Sequence, residues 1–211
     1  SMGGGTDANG YYAGRLDIFN NVVYNWGTRT TDGGAHEVNF VNNYYKMGVD
    51  TRLTTLFTIN IEGNLKGTQS AYVSGNIRDN KDGSLYRLSI DDGRGSIDWD
   101  AFVDAPYFPS YAKIESAQEA YKSVLSDVGA NLPLSDDTDR RVIKETLERS
   151  YTYVGSKSGI RGEIDNEKDA GGYELYPEEM RPADFDTDLD GLPDWWEEIN
   201  GSNVNSAAGD Y

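Results

Sequence analysis

The residues whose types and spacing best suit chemistry lie near the end of the chain, in a run of regularly spaced acidic side chains. The run DTDLDGLPDWWE follows the pattern D-x-[DN]-x-[DN]-G-x5-E, which is typical of Ca²⁺-binding loops with oxygen ligands. Gly191 permits the sharp turn, and Asp194 is expected to cap a helix beginning with Trp195. The predicted ligands are Asp186, Asp188, Asp190, the Leu192 carbonyl, Asp194 and Glu197.

Crowding five carboxylates into twelve residues is unfavourable without a cation, because like charges repel at short range. Asp194 would bind Ca²⁺ directly or through water, and Glu197 would supply two oxygens. No second complete loop follows in the sequence, so the pattern predicts one structural, EF-hand-like Ca²⁺ site in an extracellular module. The alternative is a solvated acidic linker.

The elements that precede this loop carry an internal repeat. The pattern of residues 18–24 (IFNNVVY) recurs 22 positions later in residues 40–46 (FVNNYYK). Residues 73–77 (VSGNI) form a weaker third copy. A period in the twenties predicts a solenoid, and β-prone coils with polar turns favour a parallel β-helix. Asn21, Asn43 and Asn76 would then stack on one another in successive coils. The alternative is two unrelated strands that carry Asn-Asn turns.

Composition limits the classes of function. The 211 residues include 19 basic and 36 acidic side chains, a net charge of −17, which argues against nucleic acid as a partner. Cysteine is absent, so disulfides are excluded. No apolar run approaches the roughly 18 residues needed to span a bilayer, and no signal peptide is present. The opening SMGGG is interpreted as a scar or a cut inside a longer protein.

Helical patterns follow the repeats. Residues 116–119 (SAQE) form a capping box, and apolar residues at helical spacing lead to Gly129. A second helix is predicted over 136–148, with Val142, Ile143 and Leu147 on one face. Both helices are expected to lean on the solenoid or cover its open end. Residues 53–61 form the most β-prone run, residues 84–110 are less regular, and residues 155–179 resemble a loop.

These patterns divide the chain into three segments. Parallel β-helix coils are predicted over 1–110, and a helical, loop-rich tail is predicted over 111–183. An EF-hand-like calcium-binding segment is predicted over 184–211. The fold class is mainly β: the C-terminal coils of a right-handed parallel β-helix with a helical tail.

The same stretches carry a resemblance to a known family. Residues 15–48 (RLDIFNNVVYNWGTRTTDGGAHEVNFVNNYYKMG) resemble the late coils of family 1 polysaccharide lyases, the pectate lyases. Residues 116–130 (SAQEAYKSVLSDVGA), residues 171–179 (GGYELYPEE) and the acidic loop are similar to the tail of such enzymes in gut-type Bacteroidetes. The resemblance covers nearly the whole chain, and its most specific part is NNVVYNW with its echo NNYYK.

The resemblance implies Ca²⁺-assisted β-elimination on an acidic polysaccharide such as pectate, in a secreted, periplasmic or cell-surface protein. Members of the family use as base an arginine in an R-x-P motif, with acidic Ca²⁺ ligands in preceding coils. No R-x-P occurs near the start here and no such acidic cluster precedes Leu16, so no catalytic residue is assigned. Arg15 and Arg29 are candidates for contacting substrate, although arginines of this kind are more often solvated or paired with a carboxylate.

The sequence therefore predicts part of a secreted pectate-lyase-like enzyme whose catalytic arginine lies upstream of this chain. A missing N-terminal half of the same protein is a candidate partner. The alternative is a non-catalytic carbohydrate-binding or structural module stabilised by Ca²⁺. The sole histidine, His36, is expected to be a hydrogen-bonded turn residue rather than a base or ligand.

Overall fold

The structure is a computed structural model that describes residues 5–60, 65–87, 90–94, 100–130, 135–175 and 181–207. The chain forms two compact units, Ser1–Tyr173 and Glu174–Tyr211. The three-segment division at 110 and 183 stays a prediction. In the described part of the chain, every helix is too short or too polar to cross a membrane.

The first unit consists mainly of short β-strands. In chain order they are β1 (Gly5–Thr6), β2 (Tyr12–Ala13), β3 (Arg15–Phe19), β4 (Val22–Tyr24), β5 (Thr31–Gly33), β6 (Glu37–Val41), β7 (Tyr44–Lys46), β8 (Phe57–Asn60), β9 (Ser70–Ser74), β10 (Ile77–Asp79), β11 (Leu85–Arg87), β12 (Ile90–Arg94) and β13 (Phe102–Val103). The helices are α1 (Ala117–Asp127), α2 (Asp137–Glu148) and a 3-10 helix over Glu167–Ala170.

Three parallel sheets organise this unit. Sheet I has the order β13-β9-β6-β3, sheet II contains β10-β7-β4 with β11 added antiparallel, and sheet III has the order β12-β8-β5. Each pass of the chain, which we call a coil, contributes one strand to each sheet: β3, β4 and β5 first, then β6, β7 and β8, then β9, β10 and β12. The mainly β, parallel class is thus confirmed and is compatible with a β-helix-like fold, while the right-handed sense of the coils stays a prediction.

Apolar side chains at alternate strand positions point between the sheets and form the core. Its fully buried centre comprises Val38, Phe40, Tyr45, Leu56, Phe57, Ile59 and Ala71. Within the β-prone run, Phe57 and Ile59 are buried as the alternation predicts, and position 61 lies outside the described residues. The strand begins only at Phe57, because Leu53 and its neighbours bond to the preceding coil: Trp26 Nε1 donates to the Leu53 carbonyl at 2.7 Å.

The predicted asparagine stack is confirmed. Asn21 Nδ2 donates to Asn43 Oδ1 at 2.8 Å, and Asn43 Nδ2 donates to Asn76 Oδ1 at 2.9 Å. Asn43 and Asn76 are fully buried, whereas Asn21 at the end of the stack is exposed. Since each amide satisfies the next, the row fixes the register of the coils between sheets I and II.

The first asparagine of each Asn-Asn pair has a different role. Asn20 and Asn42 adopt left-handed backbone conformations, with φ of 55° and 53°. Asn20 Nδ2 donates to the Lys113 carbonyl at 2.9 Å, and Asn42 Nδ2 donates to the Glu115 carbonyl at 2.7 Å. The outer asparagines therefore hold the segment leading into α1 against the coils.

The capping box of α1 is confirmed: Ser116 Oγ accepts from the Glu119 amide, and the Glu119 carboxylate accepts from the Ser116 amide. The helix packs on sheet II, where Tyr121 stacks on Tyr44 with 4.4 Å between ring centroids. This confirms that the first helix leans on the outside of the coils.

The second helix was correctly bounded but packs differently from its apolar pattern. Val142 and Leu147 are 46% and 54% exposed, and the residues that α2 buries are Glu145 and Thr146. Glu145 is held there by Arg141 at 3.2 Å and by the Thr152 amide at 2.9 Å. Hydrogen bonds to polar groups thus decide which face of α2 is buried.

Two irregular stretches contain elements that the sequence did not predict. Residues 84–110 include β11, β12 and β13, and residues 155–179 include the 3-10 helix. These strands have two to five residues, too few for hydrophobic periodicity to reveal. Residues 176–180 of the predicted loop lie outside the described residues.

Candidate functional site

The acidic loop lies in the second unit, immediately before α3 (Asp194–Asn200). Two residues in the left-handed conformation turn the loop sharply: Leu189 with φ of 61° and Gly191 with φ of 97°. The prediction that Asp194 caps the helix is wrong. The cap residue is Pro193, which makes no side-chain cap hydrogen bond, and Asp194 is the first helical residue. Proline suits this place because it lacks an amide donor and fixes its own φ.

Three of the predicted ligands converge. Carboxylate oxygens of Asp186, Asp188 and Asp190 lie within 4.8 Å of one another. Backbone amides hold them in place: the Asp190 amide donates to Asp188 Oδ1 at 3.2 Å, and the Gly191 amide donates to Asp186 Oδ2 at 3.1 Å. The alternating spacing of the three aspartates on a turning backbone brings their carboxylates to one side.

Each of three acidic residues keeps a buried oxygen without a hydrogen-bond partner among the described residues. These atoms are Asp186 Oδ1, Asp188 Oδ2 and Glu197 Oε2. Glu197 is only 1% exposed, because the first turn of α3 places it on the buried side. Buried polar atoms are normally satisfied, and a buried charge is normally paired or coordinates a metal. The three oxygens therefore suit a bound cation.

The electrostatics of the loop agree with this geometry. Burial raises the pKa of the Glu197 carboxyl above its usual range, and the negative charges of Asp188, Asp190, Asp194 and Asp186 raise it further. An oxygen-ligated divalent cation at this point would reverse the unfavourable field.

The two remaining predicted ligands are engaged differently. Both Asp194 oxygens accept from Thr187, at 2.8 Å from its amide and 2.6 Å from its hydroxyl. The Leu192 amide donates to Asp190 Oδ1 at 2.8 Å, and a ligand role for its carbonyl stays a prediction. Sequence reasoning missed Thr187, because it occupies a variable position of the pattern and carries no signal of its own.

The candidate substrate arginines are both paired with carboxylates. Arg15 Nε lies 2.6 Å from Glu37 on the neighbouring strand of sheet I, and its guanidinium lies 5.9 Å from the Phe108 ring centre. Two guanidinium nitrogens of Arg29 donate to the Asp32 carboxylate at 2.7–3.0 Å. Their side chains remain about two-thirds exposed, at 68% and 66%. No described contact joins Arg15 to Arg29, since they belong to different sheets and loops.

His36 is hydrogen-bonded, as expected for a turn residue. His36 directly precedes β6, and its Nδ1 lies 2.8 Å from the Thr68 carbonyl. Among the described residues, the three aspartates of the acidic loop form the cluster of acidic or histidine side chains suited to a metal, and His36 is not part of it.

Comparison with known proteins finds curated proteins that are similar to this chain. No family model matches the chain. Probable pectate lyase C of Aspergillus oryzae is 32% identical over 203 residues, which is 90% of this chain and 43% of that protein. The proteins of the same name from Emericella nidulans and Neosartorya fischeri are 32% and 31% identical, over 90% of this chain and 42% and 43% of their own length.

The similarity supports a pectate lyase-like relationship along most of the chain, in agreement with the resemblance drawn from the NNVVYNW and NNYYK motifs. The chain spans less than half the length of these curated relatives. The three relatives are fungal, so they do not support the Bacteroidetes-type assignment, which stays an expectation.

Proposed function

We propose that this chain is part of a secreted polysaccharide lyase of the pectate lyase kind, which cleaves uronic-acid polymers by Ca²⁺-assisted β-elimination. The observation that carries the proposal is the identity of about 32% to probable pectate lyase C along 90% of the chain. The coil arrangement of three parallel sheets supports it, and the proposal includes a right-handed sense for the coils.

Within the proposal, this chain supplies the scaffold rather than the base. The sequence contains no R-x-P motif, and its candidate arginines are already paired with Glu37 and Asp32. We therefore assign no residue of this chain as the catalytic base and place the catalytic arginine upstream of this chain. A metal at the reacting centre would stabilise the negative charge that develops when the proton next to the carboxylate is removed.

The acidic loop has a structural role in this proposal. Asp186, Asp188, Asp190 and Glu197 would hold one Ca²⁺, together with the Leu192 carbonyl and with Asp194 directly or through water. The support comes from the buried, unpartnered oxygens and from the field that raises the pKa of Glu197. Ca²⁺ accepts six to eight oxygen ligands in flexible geometry, which suits a loop of this type.

Calorimetric Ca²⁺ titration tests the loop, with Asp188→Ala as the perturbed variant. Asp184→Ala is the matched control, because it removes an exposed carboxylate just outside the pattern. Binding should stabilise the folded tail by about 2.7 kcal/mol when free Ca²⁺ is a hundredfold above the dissociation constant. We expect one site in the wild type and the control and its loss in Asp188→Ala. Absence of Ca²⁺ uptake by the wild type would exclude the site.

Hydrogen exchange with and without chelator tests whether the metal is structural. Chelation should speed exchange from residue 184 onward and leave residues 19–46 protected, since the ligands all lie in the second unit. Equal loosening of the coils would show that the metal has another role.

The enzymatic proposal is tested by assaying the product of the complete gene on polygalacturonate. Elimination leaves an unsaturated uronide that absorbs in the ultraviolet, and chelator should abolish its formation. Binding of the polymer without any such product would refute the lyase and favour the alternative, a non-catalytic carbohydrate-binding module.

A further inference from the structure

The loops that lead from sheet II to sheet III lie directly against one another. In the first coil this loop covers residues 25–30, and in the second it covers residues 47–56. The amides of Arg52 and Leu53 donate to the Gly27 carbonyl at 3.1 and 3.3 Å, and Thr30 Oγ1 donates to the Thr55 carbonyl at 2.8 Å. The turn between β10 and β11 reaches the same loop from the third coil.

Basic side chains from two coils gather around residues 47–56. Arg52 is an exposed member of the loop. Arg78 donates from Nη1 to the Thr54 carbonyl, and Lys81 donates from Nζ to the Val49 carbonyl at 3.1 Å.

Arg52, Arg78 and Lys81 make no close ion pair with a described carboxylate, and Arg52 interacts with Asp50 only through the field between their charges. Among the described residues, none of the ion pairs within 4.0 Å includes Arg52, Arg78 or Lys81. The two buried acids of this region have other partners, because Asp50 pairs with Arg161 at 3.3 Å and Asp79 pairs with Arg149 at 2.6 Å. An exposed acid, Asp82, accepts from Ser84.

An aromatic ring completes the surface. The Arg78 guanidinium lies 4.6 Å from the centre of the Tyr86 ring, and Tyr86 is 48% exposed. The contact fixes the orientation of Arg78, because guanidinium groups stack on aromatic faces. We call Arg52, Arg78, Lys81 and Tyr86 the cationic loop surface.

We propose that the cationic loop surface binds the carboxylates of a uronic-acid polymer. The choice of polymer rests on the proposed function. Unpaired cations on a chain of net charge −17 attract a polyanion locally where the molecule as a whole repels it. Arg52 belongs to the second coil, whereas Arg78 and Lys81 belong to the third, so the surface offers charges from successive coils to a polymer with one carboxylate per sugar.

The test is affinity electrophoresis and calorimetry of the 211-residue chain with polygalacturonate. The variant is Arg52→Gln/Lys81→Gln, which removes two charges and keeps a side-chain donor at each position. The matched control is Lys122→Gln/Lys144→Gln, with the same loss of charge at exposed positions of α1 and α2. Unchanged thermal denaturation would show that each variant is folded.

We expect the surface variant to bind about tenfold more weakly and the control to bind within about twofold of wild type. The wild type should ignore fully methyl-esterified polymer, and its affinity should fall with salt. An equal loss in the control would overturn the proposal, as would dextran sulfate or duplex DNA bound as tightly as polygalacturonate.

The outcomes also separate this proposal from the proposed function. Wild-type binding that survives in the surface variant would exclude the cationic loop surface alone. Failure of the wild type to bind polygalacturonate would overturn the proposed surface. The lyase activity is tested independently, by the ultraviolet absorbance of unsaturated uronide that the complete gene product forms.

Discussion

Asn43 is the position where a single side chain should most affect the stability of the coils. It lies in the middle of the asparagine row, is fully buried, and bonds both neighbouring coils. Asn43→Ala removes the donor to the Ile18 carbonyl at 3.0 Å and the acceptor for the Asn21 amide at 3.1 Å. Asn76 keeps the bond between its Oδ1 and the Asn43 amide at 2.9 Å, so the damage falls mainly on the first coil.

The expected cost follows from the groups that lose their partner. A buried donor or acceptor left without a partner costs about 1–3 kcal/mol. Asn43→Ala leaves the Ile18 carbonyl without the Asn43 Nδ2 donor, whereas the exposed Asn21 can bond water instead. We therefore expect Asn43→Ala to lower the free energy of unfolding by about 1–3 kcal/mol. Asn21→Ala is the matched control, because Asn21 is exposed and water can replace its bonds. It should cost about 0.5–1.5 kcal/mol.

Urea denaturation followed by tryptophan fluorescence measures both variants, and an unchanged m-value would show that the midpoint reports stability. A cost near zero for Asn43→Ala would refute the reasoning, as would a cost equal to that of Asn21→Ala. Either result would mean that the coils are held in register by their apolar core rather than by the amide row.

Three further predictions concern catalysis, pH and metal choice. The purified 211-residue chain should form no unsaturated uronide from polygalacturonate, and measurable turnover would redirect attention to Arg15 and Arg29. Asp169 should titrate near pH 2 by carboxyl NMR, because the Ser156 amide, the Ser156 side chain and the Asp165 amide lower its pKa to about 2. The stability it contributes is present above its unfolded pKa of about 3.9 and is lost as pH falls through about 2. A midpoint near 4 would contradict this, with Asp169→Asn as the control for assignment. Mg²⁺ should raise the melting temperature of the acidic-loop unit less than Ca²⁺, since it demands a strict octahedron, and equal effects would contradict the assignment.

The sequence correctly predicted local structure where a residue type makes one specific kind of interaction. The repeated Asn-Asn pairs predicted the buried amide row, because a buried amide needs a partner that donates and accepts, and the next asparagine is such a partner. The capping box predicted the start of α1 for the same reason, since its two side chains satisfy specific free amides. Likewise, the alternating aspartates correctly predicted three converging carboxylates.

The sequence was less informative where tertiary contacts decide. The apolar residues of α2 did not predict that Glu145 is buried, because its partner Arg141 and the Thr152 amide must first be brought to it. The role of Asp194 depended on Thr187, seven residues away, which takes both carboxylate oxygens. The cationic loop surface joins side chains of two coils, and no local pattern links Arg52 to Arg78.

The weak third copy of the repeat shows a feature that the sequence alone could not explain. Where the first two coils have Asn-Asn, the third has Gly75 before Asn76, and Gly75 adopts the same left-handed conformation with φ of 69°. A Cβ at Gly75 would collide with Asn42 Oδ1, the side chain whose Nδ2 holds the Glu115 carbonyl. The inner asparagine is present in all three coils and continues the row. The outer one is replaced by Gly75 in the third coil, where a Cβ would meet the Asn42 side chain that holds the tail.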